Sequence, residues 1–195
     1  MFIRQSIRSN NCAPYATATF LGLLGRVMNR TAALSAFGVR RRGWSGASHE
    51  DMSRVVEAAI PGVKTKWLHL RARKPCTVLA KLANATAVHP LLVTARCLHL
   101  RHDVADWHAF VVVDAIAERA TLLDPLAPHP VGDRAGNSTL FSANGTLTAE
   151  SPGTAGRWSI DLDFRVSAMV LTPVGIACLK CPRPAVGVEI TPARG

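Results

Sequence analysis

The stretch Trp107-His108-Ala109-Phe110-Val111-Val112-Val113-Asp114-Ala115-Ile116 decides how the chain is read. From His108 to Ile116 it is a strongly apolar run that reads as a strand, entered from a polar turn at Arg101 to Asp106. The run before it, Pro90 to Leu100, and the run after it, Arg119 to Leu123, read as strands too. Connections this short predict antiparallel pairing of neighbours. Further upstream, Val63 to Leu70 alternates, with Val63, Thr65 and Trp67 on one face and Lys64 and Lys66 on the other.

The N-terminal part has a different pattern. Ala13 to Leu24 is apolar nearly all round, with Pro14 in a first turn and Gly25 as a stop, which predicts a central helix. A short helix is expected over residues 31–37. A third runs from a Ser48 cap, with Glu50 and Asp51 in its first turn, to Ile60 before Pro61-Gly62. A fourth is expected from Thr77 to Ala83. Residues 126–156 are rich in Pro, Gly, Ser, Asn and Thr and read as a loop-rich insertion, with a short hairpin at Asn144-Gly145. Trp158 to Leu171 supplies one or two closing strands. Helices first and strands afterwards predict an α+β fold, N-terminal helices packed on a C-terminal antiparallel sheet. The domain is expected to span residues 1–171, followed by a proline-rich peripheral tail over residues 172–195.

At 195 residues, 48% of them hydrophobic and 18% charged, the chain is a folded domain rather than a disordered one. No apolar run approaches the ~20 residues of a membrane span. Arg4, Gln5, Arg8, Asn10 and Asn11 break up the start, so a signal peptide is not expected. The expected location is cytoplasmic, with export by a signal-independent route as the alternative. The net charge of +10 favours an anionic partner, nucleic acid or an acidic surface among them. Its local clusters, Arg40-Arg41-Arg42 and Arg71-Ala72-Arg73-Lys74, lack the aromatic interleaving of a single-strand binding platform. The five cysteines, Cys12, Cys76, Cys97, Cys178 and Cys181, are an odd number without a secretion signal, which argues for reactive or buried thiols over a disulfide scaffold.

Three polar side chains sit at the edges of segments that want to be buried: Cys12, His108 and Asp124. A thiol attacks as thiolate, and a helix N-terminus and a nearby imidazolium both favour that form. Cys12 stands where the central helix starts. His108 stands at the opening of the apolar strand, where it can point into a cleft. Asp124 ends the next apolar run, and an imidazole N–H from the adjacent strand would satisfy it and fix the tautomer. Asp114 and Asp103 compete for that role. Gln5, upstream of the thiol, offers an amide that could join the Cys12 backbone N–H in an oxyanion hole, with Asn10 and Asn11 as alternatives. A zinc site from Cys97, His99, His102, Cys178 and Cys181 is the competing use of the thiols, but the Cys-x-x-Cys has no second pair at a standard spacing.

Gln5…Asn11-Cys12-Ala13-Pro14 with its apolar helix, Trp107-His108-Ala109-Phe110-Val111-Val112-Val113, and Leu122-Leu123-Asp124-Pro125 together resemble papain-like cysteine peptidases. They are most similar to the bacterial double-glycine leader peptidases that process bacteriocins. The resemblance covers roughly residues 1–126 and a closing strand near 158–171. It implies Cys12 as nucleophile, His108 as general base and acid, Asp124 as orienter and Gln5 as oxyanion donor. It also implies a peptide or protein substrate and no cofactor. Ala13 stands where that family often has Gly, and Gln5 lies one residue further from the thiol than in the usual pattern. A non-catalytic binding or effector protein on the same shell, or a basic binder acting through its charge, is the alternative.

Overall fold

The computed structural model describes residues 11–39, 46–70, 74–99, 104–125, 136–150, 158–163 and 165–174. The elements are α1 (Cys12–Leu23), α2 (Arg30–Ala36), α3 (His49–Ala59), β1 (Val63–Leu70), α4 (Pro75–Thr86), β2 (Leu91–His99), β3 (Val104–Ala115), β4 (Arg119–Asp124), β5 (Gly136–Ala143), β6 (Thr146–Glu150), β7 (Trp158–Ile160) and β8 (Val166–Pro173).

Local chemistry explains the helix ends. In α1 every residue from Ala13 to Leu21 is buried, as an apolar surface on all sides requires. The helix closes with Arg26 N–H bonded to Leu21 C=O and Gly25 N–H to Gly22 C=O, and Gly25 takes φ +78°, the left-handed conformation that glycine adopts without a Cβ penalty. At the start of α3, Ser48 Oγ accepts from Asp51 N–H and the Asp51 carboxylate accepts from Ser48 N–H, a reciprocal capping box.

The α+β architecture is present, but the sheet does not remain an open layer. Its strand order is β1-β8-β2-β3-β4-β5-β6-β7, and β7 also pairs with β2. The six strands β2 to β7 therefore close into an antiparallel barrel, with β8 and β1 extending from it. One edge of β2 serves both neighbours: Leu92 to Thr94 pair with β8, and Cys97 to His99 pair with β7. Closure of this kind removes exposed sheet edges.

The insertion read as loop contains two of the barrel strands, β5 and β6, joined at Asn144-Gly145 where the hairpin was expected. Both turn residues have positive φ, +49° and +76°, as a tight hairpin turn requires. The strands escape a periodicity reading because their inward residues are small or polar at alternate positions: Ser138 and Leu140 on β5, Leu147 and Ala149 on β6. The polar turn expected over residues 101–106 is also shorter than read. Strand β3 already begins at Val104, because Val104 to Trp107 continue the ladder with His99 to Arg96 of β2.

The core has two layers that share β2 and β3. Val93, Ala95, Phe110, Val112, Leu122, Leu140, Leu147 and Ile160 fill the barrel, with Val78, Leu79 and Leu82 of α4. Leu92, Ala109, Val111 and Met169 face outward against Ala13, Ala16 and Phe20 of α1 and Met52, Val55 and Val56 of α3. The run from Ala109 to Val112 is apolar at every position because both of its faces are covered.

Candidate active site

Strand β3 outruns its neighbour. Its registered pairs with β4 run from Ala115↔Ala120 to Val111↔Leu123, with an irregularity between Val112 and Asp114. Residues 104–110 therefore lie beyond those pairs, and the end of β4 delivers Asp124 beside them. Alternation places His108 on the barrel face with Phe110 and Val112, and Asp124 on the same face with Leu122. His108 Nε2 and Asp124 Oδ1 are 2.8 Å apart, and the two side chains are 3% and 1% exposed. His108 is thus not at a strand opening. It lies well inside β3, because the ladder with β2 continues through Trp107 to Val104.

Packing of α1 on Ala109 and Val111 sets its first residue, Cys12, against the same segment. Cys12 is partly exposed. Its Sγ donates to the carbonyl of Trp107, the residue before His108, 3.8 Å away, and the thiol lies near enough to favour the protonated His108 ring.

The electrostatics follow from this arrangement. Burial alone pushes the His108 imidazolium towards deprotonation, but the charge of Asp124, its hydrogen bond, and the hydrogen bond and charge of Cys12 outweigh it. The imidazole rises from its ordinary 6.5 to about 10, so the ring is protonated at neutral pH. Asp124 is fully engaged as well. Its second oxygen, Oδ2, accepts from the indole Nε1–H of Trp158 at 2.8 Å. Trp158 is 3% exposed, and its ring lies 5.6 Å from that of His108 at an interplanar angle of 78°.

Of the four residues singled out from the sequence, the structure joins His108 to Asp124 directly and sets Cys12 against the carbonyl of Trp107, the residue before His108. Gln5 lies outside the described residues, as do Asn10, Asp103, His102, Cys178 and Cys181. Asn11 immediately precedes α1 and makes no side-chain capping bond. Asp114 is exposed on β3, where with Ile116, Arg119, Thr121 and Thr139 it lines a separate cavity of about 290 Å³. Cys97 is sealed in the barrel, its Sγ 3.7 Å from Ala95 O. Trp158 was missed by sequence reasoning. A buried indole needs a partner for its N–H, but no spacing rule connects Trp158 to an aspartate 34 residues earlier.

A polar row borders the site on the helix-facing side. His69, Ser167, Thr94 and Ala109 are registered partners across β1, β8, β2 and β3. Ser167 Oγ is 2.9 Å from His69 Nδ1, and Thr94 Oγ1 is 2.7 Å from His49 Nε2. His49 stacks on Trp67 at 4.0 Å. Burial, and then the charge of His69, hold the His49 imidazole below its ordinary value.

No family model matches this chain, and no curated protein matches it. Among solved structures it is similar to the peptidase domain of Streptococcus ComA, a bi-functional ABC transporter involved in a quorum-sensing pathway. The sequence identity is 13% and the TM-score 0.48, over 88% of this chain and 97% of that one. Nothing about activity follows from a likeness of that strength.

Proposed function

We propose that this protein is a papain-like cysteine peptidase, or a related acyl-transfer hydrolase, in which Cys12 is the nucleophile, His108 the general acid and base, and Asp124 the group that orients the ring. The observation that carries the proposal is a partly exposed thiol at a helix start, 3.8 Å from the carbonyl of Trp107, next in sequence to a buried imidazole that is held by a carboxylate.

The chemistry needs no group from outside the chain. In the reactive form the Cys12 thiol gives up its proton and its bond to the Trp107 carbonyl, and the thiolate pairs with the His108 imidazolium. The sulfur attacks the carbonyl carbon of a peptide or amide, and the carbonyl π electrons move onto oxygen. Collapse expels the amine, which takes the proton from the ring nitrogen not engaged by Asp124, and an acyl thioester remains. The neutral imidazole then takes a proton from water, the hydroxide displaces the sulfur, and acid and thiolate are released. The developing oxyanion needs preorganised donors. The Cys12 backbone N–H, with no helical partner at that end of α1, is one, and the resemblance assigns Gln5 as the other. The substrate class is a peptide or protein, with a leader peptide as the specific expectation from the resemblance.

The chain carries its own control for the test. Cys76 is exposed and lies in the first turn of α4, so it shares the helix-start position of Cys12 without an imidazole partner among the described residues. Alkylation by iodoacetamide at neutral pH, read residue by residue by mass spectrometry, is expected to label Cys12 far faster than Cys76. Cleavage of a peptide library is expected to vanish in Cys12→Ala. Equal labelling of the two thiols would defeat the proposal and leave the basic surface as the basis for function.

A further inference from the structure

We propose that Trp158 is a positioning residue for this site, aiming the Asp124 carboxylate at His108 through its indole N–H. The inference rests on the proposed function. A carboxylate buried to this degree must satisfy both oxygens. His108 engages Oδ1, and the indole, 2.8 Å from Oδ2, engages the other. The choice of donor matters. Indole is donor-only and uncharged, so it neither takes a proton from the His108–Asp124 pair nor cancels the field that the carboxylate exerts on the ring. A lysine or arginine in its place would satisfy Oδ2 equally well, but it would weaken the hold of Asp124 on the imidazolium. The contact geometry restricts the carboxylate further. Trp158 packs nearly perpendicular to His108 at 5.6 Å and lies 5.2 Å from Phe110, so the indole has little room to turn.

The source of this residue couples the site to the fold. Trp158 opens β7, the three-residue strand whose pairing closes the barrel. It stands opposite His99 of β2 and Ala149 of β6. The same strand that joins the two ends of the ring therefore completes the surroundings of Asp124.

The test uses Trp158→Phe, which keeps an aromatic ring and removes the donor. Should that variant fail to fold, benzothienylalanine placed at position 158 alone keeps the bicyclic shape and replaces N–H by sulfur. The expected result is about a tenfold fall in the rate of Cys12 alkylation, the scale of a lost charge-assisted hydrogen bond. The Cys76 rate should be unchanged. The NMR titration midpoint of the His108 ring should move down from its wild-type position. In an Asp124→Ala background the Trp158 change should add no further loss, because the acceptor of the indole N–H is gone. An unchanged His108 titration, or an equal loss with and without the Asp124 carboxylate, would overturn the inference and leave Trp158 as packing. The two proposals fail separately. Slow Cys12 labelling in the unaltered chain defeats the enzyme, whereas the His108 titration judges Trp158 in either case.

Discussion

Asp124→Asn removes one negative charge from the centre of the site while keeping the shape of the side chain. The pair it disrupts is 2.8 Å long and almost wholly buried. At an effective dielectric of ~20, that separation corresponds to roughly 6 kcal/mol of Coulomb attraction. The rise of His108 from 6.5 to about 10 corresponds to on the order of 5 kcal/mol of preference for the protonated ring. Desolvation opposes both, and removing one partner of a buried pair typically costs ~3–5 kcal/mol. The amide can still meet the ring and the indole, so the lower end, about 3 kcal/mol, is expected. The pH dependence distinguishes charge from shape. The folded value of His108 lies above the unfolded one, so its stabilisation is complete below pH 6.5 and is lost as the pH rises through about 10. Urea unfolding of both proteins across that window should therefore show a gap that is widest at its acid end and closes at its basic end. In parallel, the NMR signal of the His108 ring should report a protonated imidazole at neutral pH in the wild type and a neutral one in the variant. A wild-type ring that titrates at its ordinary value, or a stability gap independent of pH, would refute the reasoning.

Three further outcomes are expected. Cys12→Ala should lower peptide hydrolysis by at least ~10³-fold, the scale of losing a nucleophile, while urea unfolding changes by less than ~1 kcal/mol because the thiol is partly exposed. Ser48→Ala removes one half of the α3 capping box, and calorimetry should show a loss of ~1 kcal/mol, or about 2–4 °C in melting temperature. Gly145→Ala puts a Cβ on a residue at φ +76° in the β5–β6 turn. It should destabilise by ~1–2 kcal/mol in the same measurement and leave Cys12 labelling intact.

The legible parts of the sequence were those governed by local rules. Ser48 with Asp51, Gly25 after an all-round apolar helix, and Asn144-Gly145 each specify their conformation within a few residues, and α1, α3 and the hairpin stand where they were read. The pairing of His108 with Asp124 was legible because each interrupts or ends an apolar segment on adjacent strands. What was hidden is non-local. Ser138 and Ala149 face a barrel interior, yet small and polar residues of this kind look like loop until the ring around them is known. The strands read over Trp158 to Leu171 are present as β7 and β8, but nothing in that stretch tells that the three-residue β7 closes a ring. The depth of His108 was misjudged for the same reason: whether residues before it form a turn or extend a strand depends on β2, not on the residues themselves.

The forked edge of β2 makes that strand a common ruler for two parts of the molecule. Leu92 to Thr94 set the alignment of β8, and Cys97 to His99 set that of β7. An inserted residue between Thr94 and Cys97 would leave one group in place and turn the other inside out, since side chains alternate sides at every step. Length changes should therefore be tolerated in the connections around this strand and rejected within it, and a natural or engineered variant of this chain is expected to keep the spacing of those two triplets whatever else it alters.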